Sequence, residues 1–495
     1  MLKKKSFLKN FNKSLLSVNE RIESFFNRLA NLINAKSKKK NNLLSINKKI
    51  LISIAIIVIS FLSYFSIPSF YDKNLVKIKL TKEILDKYNL EVKFNGPLRY
   101  SLFPKPHYFI NDLNIIYEDE NLAKSDSTKI FISKKNFFSF EKVHIKDLKF
   151  NKTEFNINLN NFEFFKKILD SRINNHNNID FIDSSLFFKD QNEDVIFIVN
   201  IKNLEFLYND KFEQELIANL NIFNIPFKIK ITKNDDKKNS FIDIESNKLR
   251  LNVQNRLDYS KEKKRGLLNL KVIKDLDKID YILNKNSLIF STQEKKFKGK
   301  LDFKPFYLSS DFQFYQLDIG KLLKDDSILL DILNSDILSN PNLNAAVNIY
   351  FDRIKNTNYF RDIILKTYFE EGNINIKETS LNWKDSVNIN FDDVQVISEN
   401  NKISFTGAVS LDFNNIDEFY KQYQIKKIHR KKLKNISLDF FFNLYENEIQ
   451  FDNLKIDSVS NESFDKFLND FNLKKINIFN KVVFRNEVKN FFTNL

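Results

Sequence analysis

The chain has 495 residues, enough for two or three ordinary domains, and 42% of them are hydrophobic, which predicts a folded protein with a substantial core. It contains no cysteine, which excludes disulfides, thiolate metal sites and cysteine nucleophiles. The net charge is +16, but residues 1–49 hold thirteen Lys or Arg and only two Glu. The rest of the chain carries a modest positive excess without a basic stripe, so no nucleic-acid partner is expected.

Residues 1–48 are predicted to form a basic, amphipathic helical segment. Apolar residues recur there at alternating spacings of three and four, which indicates one apolar side of a helix. Three uses fit this pattern: a coiled coil, a helix on the inner leaflet with its cations near anionic headgroups, or simple packing on another protein. The apolar positions are Leu8, Phe11, Leu15, Val18, Ile22, Phe25, Leu29 and Leu32.

Residues 49–68 are predicted to form a transmembrane anchor. The run ILISIAIIVISFLSYFSI at 50–67 has no charge, and at 1.5 Å per residue a helix of this length covers about 27 Å. A cleaved signal peptide fits less well, because the preceding segment is too long and no small-x-small cleavage pattern follows. Lysines precede the run and mixed charges follow it. This charge difference predicts that the N-terminus is cytoplasmic and that the bulk of the chain lies on the opposite side of the membrane.

The stretch GPLRYSLFPKPHYFINDLNI, residues 96–115, concentrates turn-forming residues in a chain that has six Gly and seven Pro in total. We expect strands separated by turns here. Gly96 permits a tight turn and Pro97 presets its φ angle. Pro104 and Pro106 cannot donate hydrogen bonds to a neighbouring strand, so they mark a break or a sheet edge.

From residue 90 onward, apolar and polar residues alternate with a period of two. Examples are EFNINLN at 154–160, VNINF at 387–391 and ISF at 403–405. Such alternation is typical of strands with one wet and one dry face, and short Asn-, Asp- and Lys-rich connections favour antiparallel pairing. The sequence therefore predicts an α+β, mainly β fold: an elongated, twisted antiparallel sheet with a few short helices.

Few helices are predicted to accompany this sheet. They are expected at TKEILDKYN, which begins at Thr81, and at FEFFKKILDSR, KDLDKIDYIL, GKLLKDDSILLDIL, NIDEFYKQY and SFDKFLNDF. None is long enough to cover every strand. We therefore expect a large apolar sheet face with little protein to cover it.

The sequence contains no motif for a chemical site. Its four histidines are scattered, its six glycines are isolated, and its paired acids fall in predicted turns or strand edges, where solvated side chains are the simplest interpretation. We expect no enzymatic activity, no cofactor and no metal site.

The apolar run, the short helix and the Gly- and Pro-containing stretch together resemble the AsmA family of inner-membrane proteins. A second patch at residues 340–425, with Gly372 and Gly407, is similar to the C-terminal region of that family. The matching positions of the first patch are Val92, Phe94, Gly96, Pro97, Leu98, Phe103, Pro104, Pro106, Ile110, Asp112, Leu113 and Ile115.

The resemblance implies a protein held in the inner membrane by one helix, with most of its chain in the periplasm. It implies an N-terminal β-groove part at residues 69–240 and a C-terminal part with short helices at 241–495, curled into an open groove with the apolar face inside. It further implies that membrane phospholipids bind there through their acyl chains. The expected role is phospholipid transfer or outer-membrane biogenesis, with outer-membrane assembly proteins as further partners.

Eight apolar residues are candidates for lining such a groove, and the competing interpretation for each is an ordinary closed core. Two other functions compete with this lipid-binding role. One is a non-enzymatic envelope assembly factor that binds proteins through strand edges and carries no lipid. The other is an envelope hydrolase, but no spacing of residues in the sequence supports a catalytic cluster. The candidates are Phe155, Ile157, Leu159, Val387, Ile389, Phe391, Ile403 and Phe405.

Overall fold

A computed structural model of the protein describes most of the chain from residue 48 onward. Residues 1–47 of the basic segment predicted at 1–48 lie outside the described residues, as does Leu159. The chain forms two compact units, Met1–Ser66 and Ile67–Leu495. The described residues are 48–134, 137–158, 160–161, 163–170, 178–189, 193–208, 213–234, 239–258, 264–272, 275–284, 286–303, 305–319, 327–337, 340–357, 359–399, 402–446, 448–475 and 480–494.

The first unit contains helix α1, Lys48–Ser66, which coincides with most of the run predicted to be a membrane anchor. Aromatic rings cluster in its last turns: those of Phe61 and Phe65 lie 4.4 Å apart, and those of Tyr64 and Phe65 lie 5.3 Å apart. Within the described residues, no helix has both the length and the hydropathy needed to cross a membrane. The anchor stays a prediction.

The second unit is built on one sheet of 23 described strands. The strands are β1 Glu91–Phe94, β2 Leu98–Ser101, β3 His107–Tyr117, β4 Glu120–Ile132, β5 Ile145–Ile157, β6 Ile179–Lys189, β7 Val195–Tyr208, β8 Glu213–Ile222, β9 Ile225–Asn234, β10 Asn239–Ser246, β11 Leu251–Asp258 and β12 Lys264–Val272. They continue with β13 Asp275–Leu283, β14 Ser287–Thr292, β15 Phe297–Phe303, β16 Phe306–Leu317, β17 Ala345–Ile354, β18 Phe360–Glu370, β19 Asn373–Trp383, β20 Val387–Glu399, β21 Lys402–Phe413, β22 Asn435–Asn443 and β23 Glu448–Ile456.

Six further helices accompany the sheet in the described residues. They are α2 Lys73–Tyr88, α3 Glu163–Asp170, α4 Ile328–Leu333, α5 Ile416–Gln422, α6 Glu462–Leu473 and α7 Lys481–Asn494. The predicted mainly β fold with a few short helices is thus confirmed. The helix start predicted at Thr81 is wrong, because the carboxylate of Asp72 already accepts hydrogen bonds from the N–H groups of Asn74 and Leu75 and caps α2 there.

The predicted helix KDLDKIDYIL is also wrong. It forms strand β13, in which Ile279 and Tyr281 alternate with Lys278 and Asp280, and which pairs with both β12 and β14. From β3 to β22, each strand pairs with the strands before and after it in the chain. The boundary predicted between residues 240 and 241 falls inside β10, which pairs with β9 and β11.

The sheet is mixed rather than wholly antiparallel, which corrects the prediction from the sequence. β5 pairs with β6 in parallel, and β16 pairs with β17 in parallel. A parallel pair requires the chain to return along the sheet before the next strand begins. Helices α3 and α4 lie in these two connections.

The stretch rich in Gly and Pro forms one edge of the sheet. β1 and β2 pair with opposite halves of β3, and Gly96 lies between them. The carbonyl of Asp112 accepts hydrogen bonds from the N–H groups of Asn95 (3.0 Å) and Gly96 (3.2 Å). A Cβ at Gly96 would lie 2.0 Å from the carbonyl oxygen of Asn111, so glycine is required here for close backbone approach.

The remaining positions of that motif divide between the turn and the core. Pro104 and Pro106 lie in the turn between β2 and β3, and the Phe103 side chain is exposed. Ile110 and Leu113 of β3 are fully buried. The break predicted at the two prolines thus coincides with the end of β2.

Acidic residues with positive φ interrupt several strands. The φ angles of Asp112, Asp183, Asp362, Glu378 and Asp393 lie between 48° and 58°, and the strand pairing skips each of them. Register shifts mark bulges around Asp362 and Asp393. Bulges bend a strand and increase its twist, so these residues curve the sheet.

Contacts between distant strands show that the sheet bends strongly. The rings of Phe197 on β7 and Phe306 on β16 lie 6.4 Å apart. The side-chain amides of Asn340 and Asn342 donate to the carbonyls of Ile196 and Val195, both at 2.7 Å. In a flat sheet, nine steps of about 4.8 Å would separate β7 from β16 by roughly 43 Å.

We expect Gly96→Ala to lower the free energy of unfolding by roughly 2 kcal/mol or more, because its methyl group must displace the backbone at Asn111. Urea unfolding of the full chain would measure the change. Arg99→Ala, at an exposed position of β2, is the matched control and should stay within about 0.5 kcal/mol of the parent. A Gly96→Ala protein as stable as the parent would contradict this packing.

A half-buried carboxyl group makes stability depend on pH. Asp180 of β6 lies between Lys149 of β5 and Glu205 of β7. Burial, and then the Glu205 carboxylate, raise the pKa of Asp180 to about 6, while Lys149 opposes the shift. Because the folded state prefers the protonated carboxyl, the fold is favoured below about pH 4 and loses this contribution as the pH rises through about 6.

We therefore expect Asp180→Asn to stabilise the protein at pH 7.5 by about 1 kcal/mol after allowance for solvent screening, and to have little effect near pH 4. Thermal unfolding across this pH range would measure the difference. Asp243→Asn, on β10, serves as the control. An equal effect of Asp180→Asn at both pH values would refute the assignment.

Candidate functional site

One row of directly paired residues, here called the apolar row, crosses eleven consecutive strands from β13 to β23. Each member is the Cα partner of the next, so all eleven side chains share one face of the sheet. With strands about 4.8 Å apart, the row extends for roughly 48 Å. Its members are Leu283, Leu288, Leu301, Leu308, Ala345, Phe369, Ile374, Val396, Phe405, Phe442 and Ile449.

The apolar row is covered by protein only in part. Ala345, Ile374 and Ile449 are buried, whereas the other eight members are half-buried. The N-terminal strands differ, because Phe150 and Phe181 there are fully buried and their rings stack at 4.8 Å. The sheet thus combines a closed N-terminal core with a long apolar face that stays accessible.

The N-terminal candidate residues lie in the closed core. Phe155 and Ile157 are 0% and 1% exposed. The ring of Phe155 lies 5.6 Å from that of Phe165 on α3 and 5.0 Å from that of Phe181. Their side chains are therefore enclosed between the sheet and α3.

The C-terminal candidates lie at or beside a large apolar cavity of about 310 Å³ between β18–β23 and helices α5, α6 and α7. Val387 and Ile389 line it, Phe391 and Phe405 pack in the neighbouring cluster, and Ile403 is buried on β21. The cavity lining is Phe360, Trp383, Val387, Ile389, Val409, Leu411, Phe413, Phe419, Tyr423, Ile436, Leu438, Phe451, Leu454, Phe467, Leu468, Phe471, Phe484, Glu487, Val488, Phe491 and Phe492.

The apolar row leads into this cavity. Phe405 and Phe442 of the row pack against the cluster that contains Phe471 of α6. Phe451 belongs both to that cluster and to the cavity wall, and its ring lies 5.3 Å from that of Phe471. The accessible face and the cavity are therefore continuous on one side of the sheet.

The electrostatics of the cavity suit an uncharged, apolar occupant. Of the described lining residues, Glu487 is the charged one, and its carboxylate accepts from the Lys474 ammonium at 3.0 Å. Burial raises the pKa of Tyr423, which keeps its hydroxyl neutral. No group of three or more His, Asp or Glu side chains in the described residues could hold a metal ion. The walls can sequester alkyl or aryl groups and offer no acid–base pair.

The C-terminal edge of the sheet is closed by a side chain. The Asn472 amide of α6 donates to the carbonyl of Phe451 at 3.0 Å, and its oxygen accepts from the N–H of Phe451 at 2.9 Å. These two bonds replace those of a neighbouring strand at the middle of β23. An added strand would have to displace α6.

Sequence reasoning missed the β13–β16 members of the apolar row and the whole of α7. One of these strands, FKGKLDF, shows the same alternation as other strands, whereas SLIFST has three consecutive apolar residues. Val488, Phe491 and Phe492 of α7 recur at spacings of three and four, a helical signal that could have identified this wall of the cavity.

Comparison of the sequence with models of protein families and with curated proteins finds no match to either. The resemblance to the AsmA family stays a prediction.

We expect Val488→Phe to fill part of the cavity, leaving stability unchanged or slightly higher while weakening apolar ligand binding at least tenfold. Titration with the fluorescent fatty acid cis-parinaric acid would measure the affinity. Val482→Phe, at an exposed position of the same helix, is the matched control and should bind as the parent does. Equal affinity of both variants would show that the cavity takes no ligand.

Proposed function

We propose that the protein is a single-pass inner-membrane protein whose periplasmic sheet binds phospholipid acyl chains, contributing to phospholipid transfer and outer-membrane biogenesis. The observation that carries the proposal is the apolar row: eleven apolar residues in register, most of them half-buried, that lead to an apolar cavity. The resemblance of residues 50–130 to the AsmA family supports the same role.

The energetics favour acyl chains as the molecules that cover the half-buried apolar row. Removing an alkyl chain from water contributes about 0.8 kcal/mol per CH₂ group, so even ten buried methylenes contribute roughly 8 kcal/mol before the entropy of binding is subtracted. A continuous row can take chains of different length and saturation, because the contacts are non-directional. Headgroups would stay in water at the margin of the sheet.

The bend of the sheet gives the apolar side a groove-like form in this proposal. β7 and β16 approach through Phe197 and Phe306, although nine strand steps separate them. A concave apolar face surrounds a chain on several sides, which removes more of its surface from water than a flat sheet does.

The competing function, an assembly factor that recruits proteins through strand edges, has less support. Asn472 occupies the centre of the β23 edge. The opposite edge consists of two four-residue strands separated by Gly96 and Pro97. Neither edge offers the long unpaired strand that β-augmentation uses.

We expect a photo-crosslinking amino acid at position 301 to form phospholipid adducts in cells, because Leu301 belongs to the apolar row. The same amino acid at position 300 is the matched control, since Lys300 is exposed on the opposite face of β15. Mass spectrometry of the purified, irradiated full chain would identify the adducts.

Lipid adducts at position 301 at least fivefold above those at position 300 would support the proposal. Adducts with protein alone would favour the assembly factor. A chain free of lipid adducts at both positions would mean that the apolar face carries none.

A further inference from the structure

Three phenylalanines protrude from one end of the sheet, here called the aromatic end. Phe70, Phe103 and Phe138 are 85%, 74% and 82% exposed. They belong to three separate segments: the 3₁₀ turn Ile67–Phe70, the β2–β3 turn, and the connection between β4 and β5. Large aromatic side chains that are exposed to this extent at one end of a sheet mark an interaction surface.

Hydrogen bonds and ring contacts hold these segments together. The Tyr108 hydroxyl donates to the carbonyl of Pro68 at 3.2 Å, which fixes the 3₁₀ turn to β3. The ring of Tyr71 lies 5.2 Å from that of Phe140, which joins the same turn to the β4–β5 connection. The N–H of Ile132 donates to the carbonyl of Pro106 at 3.2 Å, which joins β4 to the β2–β3 turn. These contacts hold the three segments of the aromatic end in fixed positions relative to one another.

The charged residues around the aromatic end are mainly basic. In the described parts of these segments, three exposed lysines stand against one exposed acid. The lysines are Lys105, Lys134 and Lys142, and the acid is Glu141.

We propose that the aromatic end lies on the surface of an anionic phospholipid bilayer, with the three phenylalanines inserted among the headgroups. Protruding aromatic residues on segments that also carry exposed lysines match the chemistry of a membrane interface. A protein hot spot instead seats its aromatic residues in a packed centre, and these three come from separate loops. This inference rests on the proposed function, in which the protein is attached to a membrane.

Chain length agrees with this position. Phe70 follows Ser66, the last residue of α1, by four residues, which span at most about 14 Å when fully extended. If α1 crosses the membrane as proposed, the chain therefore begins its second unit at the headgroup level. Contact through the two further segments, the β2–β3 turn and the β4–β5 connection, would bring the first strands of the sheet close to the lipid supply.

The absence of cysteine from the chain permits a direct test. Single cysteines at positions 70, 103 and 138 of the full chain would be labelled with the fluorophore NBD and reconstituted into vesicles of phosphatidylethanolamine and phosphatidylglycerol. Tyr445→Cys, at a 71% exposed position in the β22–β23 hairpin, is the matched control. We expect doxyl-labelled lipids to quench the three labels at least threefold more strongly than the control label.

Reversing the charge of two lysines tests whether attraction to anionic headgroups contributes to membrane contact in addition to hydrophobic insertion. The double substitution Lys105→Glu and Lys134→Glu should lower lipid quenching at position 70 about twofold or more on anionic vesicles, with a smaller effect on phosphatidylcholine vesicles. Thermal unfolding of each variant controls for folding, since all substituted side chains are exposed.

Flotation of the same vesicles and the phospholipid content of the chain test the proposed function separately. A chain that floats with the vesicles and carries phospholipid, yet whose three labels are as accessible to aqueous iodide as the control label, would overturn this inference alone. A chain that does not float would overturn both the membrane anchor and the aromatic end as a membrane contact.

Discussion

Strand register is the constraint on which the rest of the structure depends. Side chains alternate between faces with a period of two, so a slip of one residue at any pairing would move every later apolar residue to the wet face. The apolar row is continuous over ten successive strand pairings from Leu283 to Ile449, including the parallel pair between Leu308 and Ala345. The continuity of one sheet, more than any single contact, produces the apolar face.

A sheet of this length must also avoid pairing with other copies at its edges. The chain closes one edge with the amide of Asn472 on α6 and divides the other at Gly96, where a neighbouring backbone leaves no room for a side chain. Helix α2 adds cover there by packing against β1. At the C-terminal edge, α6 both occupies the edge through Asn472 and lines the apolar cavity through Phe471.

Much of the fold follows from local sequence, because a period of two in apolar residues identifies strands whatever covers them. The parallel pairings do not follow, because the helices predicted in these two connections do not by themselves set the direction of the next strand. KDLDKIDYIL misleads because Leu276, Ile279 and Leu283 also fit helical spacing, and only partners on both sides select the strand.

The site could be predicted as a kind of surface but not by position. Phe155 and Phe405 occur in the same alternating pattern, yet α3 encloses the first, while the second belongs to a face that is half-buried. Which strands are covered depends on helices distant in the sequence, and α7 lies some 80 residues after Phe405. Local pattern therefore predicts an apolar face, whereas tertiary packing decides where it stays open.

The distribution of cover has a thermodynamic consequence. Helices α2 and α3 close the N-terminal strands, and α5, α6 and α7 pack on β18–β23. In the described part of the chain, the half-buried members of the row on β13–β16 lie outside both groups of helices. A molecule that binds this face in the folded state and has no affinity for the unfolded chain stabilises the fold by an amount that grows with its concentration. In the proposed function, acyl chains bound at the row would therefore also stabilise the fold by covering it. The same linkage would limit their affinity, because a sheet that is stable only with bound lipid could not release it.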